Sequence, residues 1–123
     1  MNLSELFLKE NVDEEVFNFI KEYINTFEKL DIIKYFGRNL SSRVDEETLI
    51  ENTNDKREDL IKSLDELVRK HIIEETILHD KKFYELSKDK KIMEIVKRFT
   101  SYYDKTAIRL TIIGYILDNI GKK

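Results

Sequence analysis

His71 and His79 are the only histidines in the chain, and it has no cysteine. Zinc sites draw on histidine and cysteine, and helical ones set two histidines four residues apart. A pair eight residues apart across a strand-like run does not meet that pattern. The two read as a helix-end residue and a turn residue, and no metal is expected. Glu74 and Glu75 are adjacent in an extended run, so their side chains point to opposite faces and form no catalytic carboxylate pair. The acidic runs Asp13-Glu14-Glu15 and Asp45-Glu46-Glu47 fall where helices begin. Carboxylates there complement the positive end of the helix dipole and need no further role. Three scattered glycines cannot build a phosphate loop. No serine stands in a recognisable nucleophile context. Tyr102 and Tyr103 could line a ligand pocket, but aromatics at helical spacing more often pack in a core or interface. No catalytic residue, metal or cofactor is expected, and the chain is not read as an enzyme.

At 123 residues the chain has the size of one domain, spanning 1–123. Apolar residues are 41% of it, enough for a core. Charged residues are 38%, above the roughly 25% of an average globular chain. Their signs nearly cancel: 22 Lys/Arg stand against 25 Asp/Glu, a net charge of −3. That balance attracts no phosphate globally, so nucleic-acid binding would need a local basic patch. No apolar run is long enough to cross a bilayer. Met1 to Glu10 has a short apolar patch but no basic leader and no small-residue cleavage site, so it does not read as a secretory signal. A cytoplasmic protein is expected. Ile and Lys occur sixteen times each, Asn eight times, Gln and Pro never. Heavy Lys/Glu use without Gln or Cys suits a thermophile. Enrichment of Ile, Lys and Asn together suits an A/T-rich genome.

Caps and periodicity delimit the elements. Asn11 with Glu14 forms a capping-box pattern. Val12, Val16, Phe19, Ile20, Tyr23 and Phe27 then recur at helical spacing, predicting an N-terminal helix over 12–27. A bend leads to a second helix from about Glu28 to Phe36, with Gly37 as its stop. Ser41–Val44 could form a one-bridge strand. Asp45 is an N-cap, with Val44 and Leu49 as a hydrophobic staple, for a short helix Glu46–Glu51. After a turn at Asn52-Thr53-Asn54, Asp55 and Glu58 offer a second capping box. The helix that follows carries Leu60, Leu64, Leu67 and Val68 on one stripe and ends near Lys70. Ile72–Leu78 is β-branched and strand-like. His79-Asp80-Lys81-Lys82 is a turn, and Phe83–Leu86 returns. Ser87 or Asp89 caps a helical extension over 89–120, with a stripe from Ile92 to Tyr103. From Ala107 to Ile120 the helix is apolar nearly all round, which implies burial on most sides. Two arrangements satisfy that. In one, the helix forms a homodimer interface through Ile108, Ile112, Tyr115 and Ile116. In the other, it packs within the chain between the first helix and the central core.

The stretch Leu60–Glu75, LIKSLDELVRKHIIEE, followed by Phe83–Ser87, FYELS, resembles the winged helix-turn-helix superfamily of small prokaryotic regulators. The likeness covers roughly 28–87, about half the chain. It implies a mainly α fold: a three-helix core with a two- or three-stranded β-wing, flanked by extra N- and C-terminal helices. His71 departs from the pattern, since the superfamily usually places glycine there, where the chain turns through positive φ. In such folds the third helix enters the major groove of duplex DNA and the wing touches backbone or minor groove. Carried onto this chain, that assigns DNA contacts to Lys56, Arg57, Lys62 and Ser63 on the helix and to Lys81 and Lys82 on the wing. The resemblance thus implies a DNA-binding transcription regulator with double-stranded DNA as its partner, acting as a homodimer; it names no effector ligand.

The charge of the helix pulls the other way. Asp55 to Lys70 holds five basic and five acidic residues. At 3.6 residues per turn, Asp55, Asp59, Lys62, Glu66 and Arg69 face outward if the leucines face in. A groove-reading face should be basic or neutral-polar, and this one mixes signs. The alternative is a winged-helix module that docks a protein and binds no DNA. One continuous positive face over helix and wing favours DNA, and interspersed signs favour a protein partner.

Overall fold

The computed structural model describes Glu5 and residues 8–121. The apolar patch within Met1–Glu10 lies largely outside them. The described chain runs α1 (Glu14–Tyr23), α2 (Phe27–Arg38), β1 (Arg43–Asp45), α3 (Glu46–Asn52), α4 (Arg57–Arg69), β2 (Ile73–Leu78), β3 (Lys81–Leu86), α5 (Lys90–Tyr103) and α6 (Thr106–Gly121). The architecture is mainly helical, with one small antiparallel sheet in the order β1-β3-β2.

The helical run expected over 12–27 is shorter and ends in a break. Ile24 closes α1 by donating its N–H to Ile20 O, and Thr26 caps α2 by accepting from Lys29 N at 3.2 Å. The capping box on Asn11 does not form. Asn11 stands at a φ of 56°, and Asp13 takes the cap by accepting from Val16 N at 3.0 Å. A carboxyl oxygen directly at the N-terminus of the helix takes the place of the amide two residues earlier. The other Asp13 oxygen accepts from Arg98 at 2.9 Å, tying α1 to α5.

Gly37 does not stop α2, which runs on to Arg38, and no described glycine has positive φ. Its role is a close crossing. A Cβ on Gly37 would overlap Thr100 Oγ1 and sit 3.2 Å from Thr100 Cβ, so α2 and α5 approach where no side chain intervenes.

Asp45 caps α3 as expected, accepting from Thr48 N at 2.9 Å. The α4–β2 junction is a Schellman motif: Ile72 N bonds Leu67 O and His71 N bonds Val68 O, each at 3.0 Å. His71 is its left-handed residue, at a φ of 63°. Leu67 and Ile72, at the ends of the bond that spans more of the chain, are both buried. The hairpin is tighter than the sequence suggested. Leu78 pairs with Lys81, so the turn is only His79-Asp80, at φ 52° and 64°. Positive φ at both positions marks a type I′ turn, whose twist matches that of the strands. Lys81 and Lys82 therefore belong to β3 and not to the turn. They point to opposite faces of the sheet.

The core lies where α2, α3, α4 and the sheet meet, with Phe36, Leu49, Leu60, Leu64, Leu67, Ile73 and Tyr84 at most 1% exposed. Burial of each such side chain contributes about 1.5–3 kcal/mol before chain entropy is counted. A second cluster joins α1 to α5 through Phe19, Phe99 and Tyr103, with ring centroids 6.5 and 5.8 Å apart. In α6, Ile108, Ile112 and Ile116 are fully buried within the chain, and Tyr115 Oη donates to Lys21 O at 3.3 Å. This corrects the interface expected at Ile108, Ile112, Tyr115 and Ile116: three of these side chains are in the chain's own core and the fourth is bonded to α1. Apolar surface on neighbouring helices was available to cover them, and local periodicity cannot register that.

Candidate nucleic-acid interface

The face expected to meet DNA is built from the first turns of α3 and α4 and from the β2–β3 hairpin. Helix α4 begins at Arg57 with Lys56 as N-cap, and no side chain caps it. The expected capping box from Asp55 is absent because Asp55 is engaged elsewhere. It is partly buried beside Asp31. Desolvation first, then its hydrogen bond to Asp31 and the charges of Asp31 and Asp59, push its carboxyl up to about 7, with Lys34 opposing. The proton it retains lets two carboxyls share one site.

Arg57 is exposed but occupied. Its two terminal nitrogens donate to the two oxygens of Glu47 at 2.6 and 3.1 Å. The Glu47 carboxyl is held below its ordinary range mainly by that bond. Lys81 lies 2.7 Å from Asp45 Oδ2. Lys81 and the bonds from Thr48 hold the Asp45 carboxyl far below the carboxylate range. Lys82, on the other face of the sheet, lies 3.7 Å from Glu75. Ser63 is not on the surface at all: it is 6% exposed, turned inward with Leu60, Leu64 and Leu67. The DNA contact expected of it is corrected, because α2 packs over that side of α4.

Lys56 and Lys62 are exposed and stand outside these ion pairs. Lys62 borders a polar cleft of about 320 Å³ between α2 and α4, shared with Asn25, Thr26, Asp59 and Glu66. At its base Lys29, 5% exposed, pairs with Glu66 and donates to Asn25 Oδ1 at 3.1 Å. Glu66, expected to face outward, is drawn in by that lysine, which holds its carboxyl below the ordinary range.

The six expected contact residues thus do not converge on one positive surface. Arg57 and Lys81 come together around α3, Arg57 beside Glu47 of its first turn and Lys81 beside its N-cap Asp45. Lys82 points away, and Ser63 is inside. Sequence reasoning assigned Asp45 to the N-cap of α3 and both Asp45 and Glu47 to its dipole, and nothing further. Their second task, neutralising Arg57 and Lys81, depends on which strand and helix lie beside them. It also passed over Ile77 and Leu78, which are 62% and 41% exposed where the hairpin leaves the core. Strand periodicity could have flagged Ile77, which shares a face with Ile73 but lies further out.

Among the described residues no group of three or more His, Cys, Asp and Glu side chains is arranged to hold a metal ion. No described helix is long and apolar enough to cross a membrane. Comparison of the chain with known protein families, with curated proteins and with solved structures finds no match.

Proposed function

We propose that this chain is a winged helix-turn-helix domain that docks a protein partner through its helix–hairpin face. The winged-helix reading is supported by the element order from α2 to β3 and by the sheet order β1-β3-β2, which puts the α3–turn–α4 unit against a two-residue hairpin. One observation carries the docking reading. The cations Arg57, Lys81 and Lys82 are each matched by a neighbouring carboxylate, the first two around α3 and the third on the opposite face of the sheet. A surface that satisfies its own charges lacks the phosphate-neutralising potential on which DNA affinity rests. The exposed Ile77 and Leu78 add apolar contact area of the kind protein interfaces bury.

The test is fluorescence anisotropy against a mixed-sequence duplex over a salt series. No binding at low salt is expected. Binding in the range of about 10⁻⁴–10⁻⁶ M that weakens steeply with salt overturns the reading. The positive arm is partner capture from a lysate by wild-type domain and by Ile77→Glu with Leu78→Glu. Loss of a captured protein in the variant, with an unchanged circular dichroism spectrum, locates the contact on the hairpin.

A second reading, duplex DNA bound through the first turn of α4, is favoured by the exposure of Lys56 and Lys62 outside the ion pairs. It requires phosphates to displace Glu47 from Arg57 and Asp45 from Lys81. Alanine at Lys56, Arg57, Lys81 and Lys82 together abolishes binding if this reading holds.

A further inference from the structure

We propose that the outer side of α5 is a docking groove for an acidic amphipathic helix of a partner protein. Helix α5 packs on α1, α2 and α6, and a shallow groove of about 740 Å³ runs along the side it leaves open. Leu40, Met93 and Tyr102 are the apolar lining, each half-buried against the core. Lys90, Lys97 and Arg98 are the cations. From Lys88 to Lys105 there are six basic residues and three acidic ones, in a chain whose net charge is −3. Two of the three acids are engaged: Asp89 caps α5, accepting from Lys91 N at 2.8 Å, and Asp104 lies 3.4 Å from Arg38. Arg98 is held by Asp13 at 2.9 Å. Lys90, Lys91 and Lys97 enter none of the ion pairs of the described residues. Arg57, Lys81 and Lys82, by contrast, each have a carboxylate. Lys90 and Lys91 also open α5, where a cation opposes the helix dipole, so the helix itself gains nothing from them.

Charge and spacing select the occupant. Lys90 and Lys97 are seven residues apart, two turns or about 10 Å along one side of α5. Carboxylates seven residues apart on a second helix match that spacing, and apolar side chains between them reach Leu40, Met93 and Tyr102. The flexible thioether of Met93 adapts to such contacts. Glu94 stands between the two lysines and pairs with neither. A helix can set a neutral side chain opposite it. A strand of duplex DNA carries a phosphate about every 3.4 Å and cannot skip that position. Together with the apolar lining, Glu94 favours a protein over nucleic acid. The groove shares no residue with the helix–hairpin face, so the proposal stands or falls independently of the docking reading there.

The test is a heteronuclear NMR titration of the full chain with a helical peptide of about four turns that carries leucine on one face and two glutamates seven residues apart. Shifts at the amides of Lys90, Met93, Glu94 and Lys97 are expected, and they should fade as salt is raised. The same peptide with glutamine in place of both glutamates should bind roughly tenfold more weakly. Lys90→Glu with Lys97→Glu should weaken the acidic peptide by at least as much, with an unchanged circular dichroism spectrum, since both lysines are exposed and outside the ion pairs. Lys90→Arg with Lys97→Arg should keep the binding. No shift in the groove at the highest peptide concentration overturns the proposal. So does equal binding of the glutamine peptide, a set of shifts confined to the hairpin, or tighter binding of oligothymidylate or a mixed-sequence duplex, which would give this side of α5 to nucleic acid.

Discussion

Arg57 grips Glu47 with both terminal nitrogens, at 2.6 and 3.1 Å, and so joins the first turn of α4 to the first turn of α3. The arginine to which the resemblance assigned a DNA contact spends its fork on a neighbour. Lys81 on Asp45 repeats the arrangement from the hairpin side.

Removing the carboxylates should therefore release the cations. Asp45→Asn, Glu47→Gln and Glu75→Gln together shift the net charge from −3 to 0, since three negative charges are lost. Asn still caps α3, so the fold is expected to hold. The triple variant should gain salt-sensitive affinity for duplex DNA in an anisotropy titration where none is expected of the wild type. Failure to gain any would mean that geometry, and not neutralisation, keeps this face from DNA.

Gly37→Ala should destabilise the protein by about 1–3 kcal/mol through overpacking at the α2–α5 crossing. The clash is with Thr100, whose Oγ1 is held by a 2.8 Å bond to Val96 O. Thr100→Ala should recover part of the loss, since residues in contact are not additive. Urea unfolding of the two single variants and the double variant measures the coupling.

The Asp31–Asp55 pair gives stability a pH dependence of definite sign. The Asp55 carboxyl titrates near about 7 in the fold and near 3.8 when unperturbed. The folded state thus keeps a proton that the unfolded chain gives up. The favourable contribution is complete below the unfolded value and is lost as pH rises through the folded one. Glu66 has the opposite shift, so its contribution is present at neutral pH and lost on acidification. Asp55→Asn imitates the protonated acid. It should leave stability near pH 4 little changed, flatten the decline between about 4 and 7, and exceed wild type at about pH 8. A denaturation series across that range reads all three; a variant that follows the wild-type slope would remove Asp55 as its source.

His71 closes the Schellman motif at a φ of 63°, a conformation that strains any residue with a Cβ. His71→Gly should stabilise the domain by about 0.5–1 kcal/mol, the relief of strain exceeding the added freedom of the unfolded chain. His71→Ala should give no gain. Thermal unfolding of both distinguishes strain from any contact made by the imidazole.

What the sequence by itself determined is what acts within a few residues. Asp45 as a cap, the leucine stripe of α4, the β-branched run of β2 and the left-handed need at His71 are local matters. Helical and strand periods, caps and allowed φ values depend on neighbours in the chain. So does the even charge count from Asp55 to Lys70, which signals a mixed face by residue type and spacing alone. Tertiary structure alone decided the rest. Gly37 looked like a stop until Thr100 was brought against it from 63 residues away. Asp55 looked like a cap until Asp31 took it. Ser63 and Glu66 looked exposed until α2 covered them. Lys81 and Lys82 looked like one basic tip until a two-residue turn drew both into β3. Helix α6 was apolar all round in sequence, and only packing chose which face went inward. Burial and ion pairing are made by groups distant in the chain, and their free energy exists only once the segments have met.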